Sequence, residues 1–367
     1  MEDPVVQAAE EILEKVEDVL PEAVKNITGR AVATTEGLAL AYVSLFLMAV
    51  IPIFWGSYRS ITYHKKSKEN GEAIETMTTK DVYMFPIMAS SMLFGLYLIV
   101  KYLSADHLNL VVASYFFLVG SLAQTAILRP VVGMIPGSSL LLENELYHLK
   151  FNKGANVYLE CKFDMLHVVS MALSAAFGVW YLMKKHWLAN NIFGLAFSVN
   201  GIEMISLGSV KNGCILLSLL FFYDIFWVFG TEVMVEVAKN LDAPIKVVFP
   251  MDFIEKGIFG GNFAMLGLGD IVLPGVFIAL LLRYDVSKGE NSNLYFYAGF
   301  AAYILGLAIT IGILTIFNAA QPALLYLVPT CVGIPLLISL IKGEFNSLIA
   351  YNEETKEEEK ADEKKEE

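Results

Sequence analysis

Apolar residues fall along the chain in long unbroken runs rather than in short alternating stretches. About nine runs, near 37–57, 82–102, 108–128, 164–183, 192–210, 213–235, 263–283, 294–317 and 322–341, approach the ~20 residues that a helix needs to cross a bilayer. The pattern predicts an all-α polytopic membrane protein of about nine transmembrane helices. Two stretches break it. Tyr147–Phe151 and Tyr158–Phe163 alternate around Asn152–Asn156, as a small hairpin at the membrane surface would. Pro244–Pro250 is a short β-prone run fenced by prolines.

Composition agrees, because 367 residues that are 56% hydrophobic and 17% charged are too apolar for a soluble fold of this length. The net charge of −12 is concentrated at the ends: residues 1–26 carry eight acids and two bases, and residues 353–367 carry nine acids and four bases. The predicted organisation is an acidic N-terminal segment 1–36, a membrane domain 37–342 and a disordered charged tail 343–367. With the interior nearly neutral, no nucleic-acid-binding face is expected. Cys161, Cys214 and Cys331 are dispersed and lack CxxC spacing, so neither a disulfide framework nor a metal site is expected. The acidic start does not resemble a removable signal peptide, and the first span is expected to be an uncleaved anchor.

The connector after the first run is basic (Arg59, Lys65, Lys66, Lys68, Lys80), whereas the segment before it is acidic. The positive-inside rule then places the N-terminus in the lumen and, with an odd number of spans, the C-terminus in the cytosol. Lys184, Lys185 and His186 run against this assignment. Asn26 opens an Asn-Ile-Thr glycosylation acceptor on the expected lumenal side.

Ionisable residues at membrane depth cost roughly 2.5–3.5 kcal/mol or more, so each is a candidate for function. Asp224 falls midway along the sixth run and Asp270 in the seventh, with Glu203 in the fifth. Two carboxyls held close cannot both ionise; sharing one proton, they suit hydrolysis in which one activates water and the other polarises a carbonyl. Gly267 and Gly269 leave room beside Asp270. Pro274 deprives the Asp270 carbonyl of its helical donor, a defect tolerated in a membrane only where protein or water supplies another. Gln321-Pro322-Ala323-Leu324 opens the ninth run, whose three prolines leave backbone groups for an extended substrate to pair with. The bland readings are a proton or ion relay in a transporter, and a buried pair that fixes packing in a non-catalytic membrane-protein chaperone. Glu203, one turn after Asn200, reads as a structural hydrogen-bonded pair. The five histidines form no HExxH motif, and Gly137-Ser138-Ser139 lies in a connector, which disfavours metallo- and serine-protease chemistry.

Tyr223-Asp224, the GxGD of Gly267–Asp270 and the Pro-Ala-Leu of 322–324 occur in order on the sixth, seventh and ninth runs. Together they resemble the presenilin and signal peptide peptidase group of intramembrane aspartyl proteases, and the likeness extends from the first span to Lys342. Within the group the short connector between the aspartate spans is similar to the signal peptide peptidase branch. The resemblance implies a presenilin-like intramembrane protease fold, with Asp224 and Asp270 catalytic and Tyr223, Gly267 and Gly269 supporting them. It further implies that Gln321, Pro322, Ala323 and Leu324 bind substrate and that no metal or organic cofactor takes part. The implied substrates are membrane-embedded peptides: leftover signal peptides and type II or tail-anchored proteins of the endoplasmic reticulum membrane. Homo-oligomers and association with membrane-protein degradation machinery are also implied. Lys364 and Lys365 resemble a dilysine retrieval signal.

Overall fold

The computed structural model describes residues 34–71, 74–102, 105–135, 147–153, 156–231, 233–234, 237, 243–289, 292–317 and 321–353. Asn26, Lys364 and Lys365 lie outside these residues. Among the described residues nine long helices lie near the predicted runs: α1 Thr35–Glu69, α2 Thr79–Tyr102, α3 Ala105–Gly133, α4 Met165–Lys184, α5 Trp187–Met204, α6 Val210–Phe229, α7 Gly269–Lys288, α8 Leu294–Phe317 and α9 Leu324–Ile341. A short α10, Phe345–Ala350, follows.

Seven of these, all but α5 and α7, are long and apolar enough to cross a membrane. The two exceptions are too polar for lipid because they are interior helices. α5 carries Asn190, Asn191 and Asn200, which are spent on other backbone: Asn190 donates to the Lys246 carbonyl at 2.7 Å and Asn200 to the Ala123 carbonyl at 2.9 Å. α7 is buried at every position from Pro274 to Asp285. A helix enclosed on all sides can keep charges only if they are paired. Asp285 accepts from the Phe296 amide at 2.9 Å, capping the start of α8. By contrast α2 fully buries only Val82.

The described residues divide into two compact units, one of 34–45 with 248–265, the other of 46–247 with 266–353. In the first, Asp252 accepts from the amides of Gly261 and Asn262 and from the Lys256 ammonium, closing the loop between two strands. The larger unit holds α7 at its centre, packed against α5, α6, α8 and α9. Gly213 and Gly275 permit that approach: a β-carbon there would come within 2.6 Å of the Phe277 ring and of the Ile202 side chain respectively.

The expected hairpin is present as β1 Tyr147–Lys153 paired antiparallel with β2 Asn156–Phe163. The proline-fenced run forms β3 Lys246–Pro250, and its partner is β4 Phe263–Gly267. The latter corrects the expectation that 263–267 opens a membrane span. Glycines at 261, 267 and 269 disfavour helix there, and a neighbouring strand offers the backbone hydrogen bonds instead.

Two further boundaries move. α1 continues about twelve residues past 57, because the expected connector presents Ser57, Ser60, His64 and Ser67 as one buried helical stripe. The ordered chain also passes 342, where the charged tail was expected to begin. Leu348 of α10 is buried, the Tyr351 ring packs on Tyr284 at 5.2 Å, and Glu353 is buried against Arg283 and Ser206. Glu203 also differs: its partner is Arg59, at 2.7 Å, rather than Asn200.

Burial alone pushes the Glu353 carboxyl upward, but the Arg283 charge and the hydrogen bonds from Arg283 and Ser206 outweigh it and hold it below the usual glutamate range. A depressed carboxyl stabilises the fold above its ordinary titration range, and the contribution disappears as pH falls through the folded value. Removing one partner of a buried pair costs about 3–5 kcal/mol. Glu353→Ala should therefore lower the unfolding midpoint in detergent strongly at neutral pH, with the gap to the parent narrowing on acidification. Removing residues 354–367 should leave the midpoint in place.

Candidate active site

The larger unit brings together three helix segments that are far apart in sequence. Asp224 lies about one and a half turns from the end of α6, where its neighbours Phe222 and Phe226 face outward and it faces α9. It is 6% exposed. Its Oδ2 accepts a hydrogen bond from the Leu324 amide at 3.0 Å. Leu324 is the first residue of α9, and the residue before it, Ala323, supplies no side-chain cap. The Asp224 carboxylate thus takes the place of a missing N-cap, binding an amide that has no donor role inside its own helix. The positive end of the α9 dipole favours the same contact.

Asp270 reaches the site by another route. β4 ends at Gly267, the chain turns at Leu268, whose amide donates to the Ile245 carbonyl at 2.9 Å, and α7 begins at Gly269. Asp270 therefore lies in the first turn of α7, half-buried. Its carboxyl is within electrostatic reach of Asp224. The carbonyl that Pro274 leaves unpaired accepts from the Tyr303 hydroxyl of α8 at 3.2 Å. The sequence announced the need for that donor but not its identity. Tyr303 is one of five hydroxyl-bearing residues in α8, with Tyr295, Tyr297, Thr310 and Thr315.

The remaining predicted residues divide. Gly267 touches the site directly, since a β-carbon there would stand 3.3 Å from Asp270 Oδ2. At Gly269 the nearest atom would be Leu273 Cδ1 at 3.9 Å, so that glycine is not forced by space. Tyr223 is half-buried with its ring 6.3 Å from that of Trp227, whose indole N–H donates to Ser90. Pro322, Ala323 and Leu324 are buried beside Asp224, with Gln321 at the margin. The expected free strip of backbone at Ala323–Leu324 is not free. The Leu324 amide belongs to Asp224, and the Ala323 carbonyl accepts from the amides of Tyr326 and Leu327. Three prolines do not prevent helix here because Pro322 precedes α9, leaving Pro329 and Pro335 within it. Among the described residues no cluster of histidine, cysteine and acidic side chains suited to a metal ion occurs.

A pair of interacting carboxyls on adjoining helices of a membrane bundle, one fixed by an amide and one at a strand–helix junction, is suited to activating water. The signal peptide peptidase family model matches residues 69–355. The chain belongs to the signal peptide peptidase family. It is 51% identical to human signal peptide peptidase over 332 residues, covering 89% of this chain and 87% of that one. The mouse signal peptide peptidase is 52% identical over the same shares. Intramembrane protease 2 of Caenorhabditis elegans is 32% identical over 446 residues, covering 91% and 94%. Among solved structures, a presenilin family intramembrane aspartate protease aligns with a TM-score of 0.45 and 14% identity, over 82% of this chain and 97% of that one. As a member of the signal peptide peptidase family the chain is a polytopic membrane protein and an intramembrane aspartic endopeptidase. The transporter and chaperone alternatives are not favoured.

The two motif glycines should respond differently. Gly267→Ala places a methyl against the Asp270 carboxyl and should reduce the cleavage rate at least tenfold with little change in unfolding midpoint. Gly269→Ala, with more room, should cost less. Rates on a labelled membrane peptide, measured beside unfolding midpoints, check both.

Proposed function

We propose that Asp224 and Asp270 are the catalytic pair of this protease, and that its substrates are remnant signal peptides and type II or tail-anchored membrane proteins of the endoplasmic reticulum. The observation that carries the catalytic assignment is that Asp224, bound to the Leu324 amide, sits on α6 packed against α7, which carries Asp270 in its first turn. Water between the carboxyls gives its proton to the ionised member and attacks the scissile carbonyl, which the protonated member polarises; the titration belongs to the pair. The names of the human and mouse relatives support signal peptides as substrates.

A substrate helix in lipid hides its carbonyls in its own hydrogen bonds, so it must unwind before it is cut. The Ala323–Leu324 backbone is already engaged, whereas β4, the strand that leads into Asp270, pairs among the described residues with β3 alone. An unwound substrate pairs there by strand addition, while Pro322, Ala323 and Leu324 hold Asp224 in place.

The expected orientation, N-terminus lumenal and C-terminus cytosolic, is supported by charge and by contacts. Arg59 meets Glu203, Arg283 meets Ser60, and Glu353 meets Ser206, gathering the ends of α1, α5 and α7 and the C-terminal segment on the face that bears the basic Arg59–Lys80 stretch.

Asp224→Ala and Asp270→Ala should each abolish cleavage of a labelled signal peptide by the purified protein in bicelles. Asp224→Asn keeps an acceptor for the Leu324 amide, so it should be equally inactive yet more stable than Asp224→Ala by about 1 kcal/mol. Retained cleavage in either alanine variant would sink the assignment. Replacing helix-breaking residues in the substrate's apolar core by leucine should slow its cleavage by the parent; an unaltered rate would remove the unwinding step.

A further inference from the structure

Pro274 has no amide hydrogen, so the Asp270 carbonyl has no donor in its own helix. In a membrane interior an acceptor left in that state is costly, and here a single side chain answers it. Tyr303 is fully enclosed, and its hydroxyl donates to the Asp270 carbonyl at 3.2 Å. We propose that Tyr303 is a positioning residue for proteolysis: through the carbonyl of Asp270 it fixes the main chain from which the Asp270 carboxyl projects. This inference rests on the reading of Asp270 as half of the catalytic pair.

Three observations give the bond this consequence. First, the opening turn of α7 is otherwise lightly held, since Leu268 provides no side-chain cap and Asp270 is flanked by glycine at 267 and 269. Outside the regular bonding of α7 and of the β3–β4 pair, the main chain here is held by the Leu268 amide to Ile245 and by the amides of Ile271 and Val272 back to Leu268. Second, Tyr303 cannot follow a drifting Asp270. Its helix lies against α9 so closely that a β-carbon at Gly306 would stand 2.4 Å from Thr330 Oγ1 and 3.1 Å from the Leu327 α-carbon. Third, α9 is the helix whose first amide binds Asp224. One packed pair of helices, α8 and α9, therefore holds both carboxyls, Asp270 through Tyr303 and Asp224 through Leu324. A displacement of well under 1 Å between reacting groups lowers the rate of a bound complex steeply, without a matching loss of substrate affinity.

The proline makes the proposal separable from simple packing. Pro274→Ala restores an amide at the position where a helix would bond the Asp270 carbonyl, so it should make the Tyr303 hydroxyl redundant. The experiment is a double-mutant cycle of Tyr303→Phe and Pro274→Ala on the full chain in bicelles. It follows kcat and KM for a labelled signal peptide, with unfolding midpoints and Asp270→Ala as reference. Tyr303→Phe should lower kcat about tenfold with KM within about twofold of the parent, and in the Pro274→Ala background the same change should lower kcat less than about threefold. Equal losses in both backgrounds, or a Tyr303→Phe protein as fast as the parent, overturn the proposal. A loss carried by KM, or one that tracks a fall in the unfolding midpoint, also overturns it in favour of a packing role. Cleavage surviving in Asp270→Ala would instead refute the catalytic assignment, independently of Tyr303.

Discussion

A backbone amide or carbonyl surrounded by hydrocarbon has no water to turn to, and this constraint organises the molecule. Regular helix satisfies it over most of the chain. The informative places are those where the helix stops satisfying it: the bare amide at the start of α9 and the carbonyl that Pro274 strips of its donor. Each is answered by one side chain from another helix, Asp224 for the amide and Tyr303 for the carbonyl. The site is assembled from these two repairs. A carboxyl that must be kept at membrane depth is placed where a helix end needs an acceptor, so much of what would be its burial cost is offset by a bond the fold requires anyway.

The same constraint sorts the helices. α7 carries Asp270 near one end and Arg283 and Asp285 near the other, a combination that lipid would not tolerate. Its burial from Pro274 to Asp285 shields it, and its charges are paired with Glu353 and with the start of α8. The outer helices, of which α2 buries least, form the lipid-facing shell and carry few obligations beyond being apolar. Rigidity at the far end of α7 comes from the chain's own C-terminal segment, where Leu348, Tyr351 and Glu353 are all buried.

Much of this was legible in the sequence. The long apolar runs place nine helices, and Asp224, Asp270, Pro274 and the Pro-Ala-Leu stretch are conspicuous because charge, missing amides and helix breakers are conspicuous in apolar sequence. The hairpin at 147–163 was likewise visible as period-two alternation. Three features were not legible, each for a physical reason. The runs of α5 and α7 are less apolar than the other seven, but only packing shows that α7 is enclosed by other helices. An apolar strand such as Phe263–Gly267 is indistinguishable by hydropathy from the first turn of a span, since only its pairing with β3 decides it. Charged residues at a membrane boundary read as solvated, and nothing local marks Glu353 as an acid that turns inward to Arg283.

The junction at Leu268 ties the geometry of the reaction to the conformation of the substrate. Upstream of it the chain is extended and its hydrogen bonds point sideways; downstream it is helical and they run along the axis. Asp270 comes two residues after the change, close enough that a strand added beside Gly267 would deliver its backbone to the carboxyl within one or two residues. A substrate still coiled as a helix presents its side chains at that edge and no carbonyl. On the proposed strand-addition reading, selection against intact helices needs no separate gate. It follows from putting the acid at the point where the enzyme's own backbone stops being a strand, so that a partner able to continue the sheet is also the partner whose peptide bond is exposed.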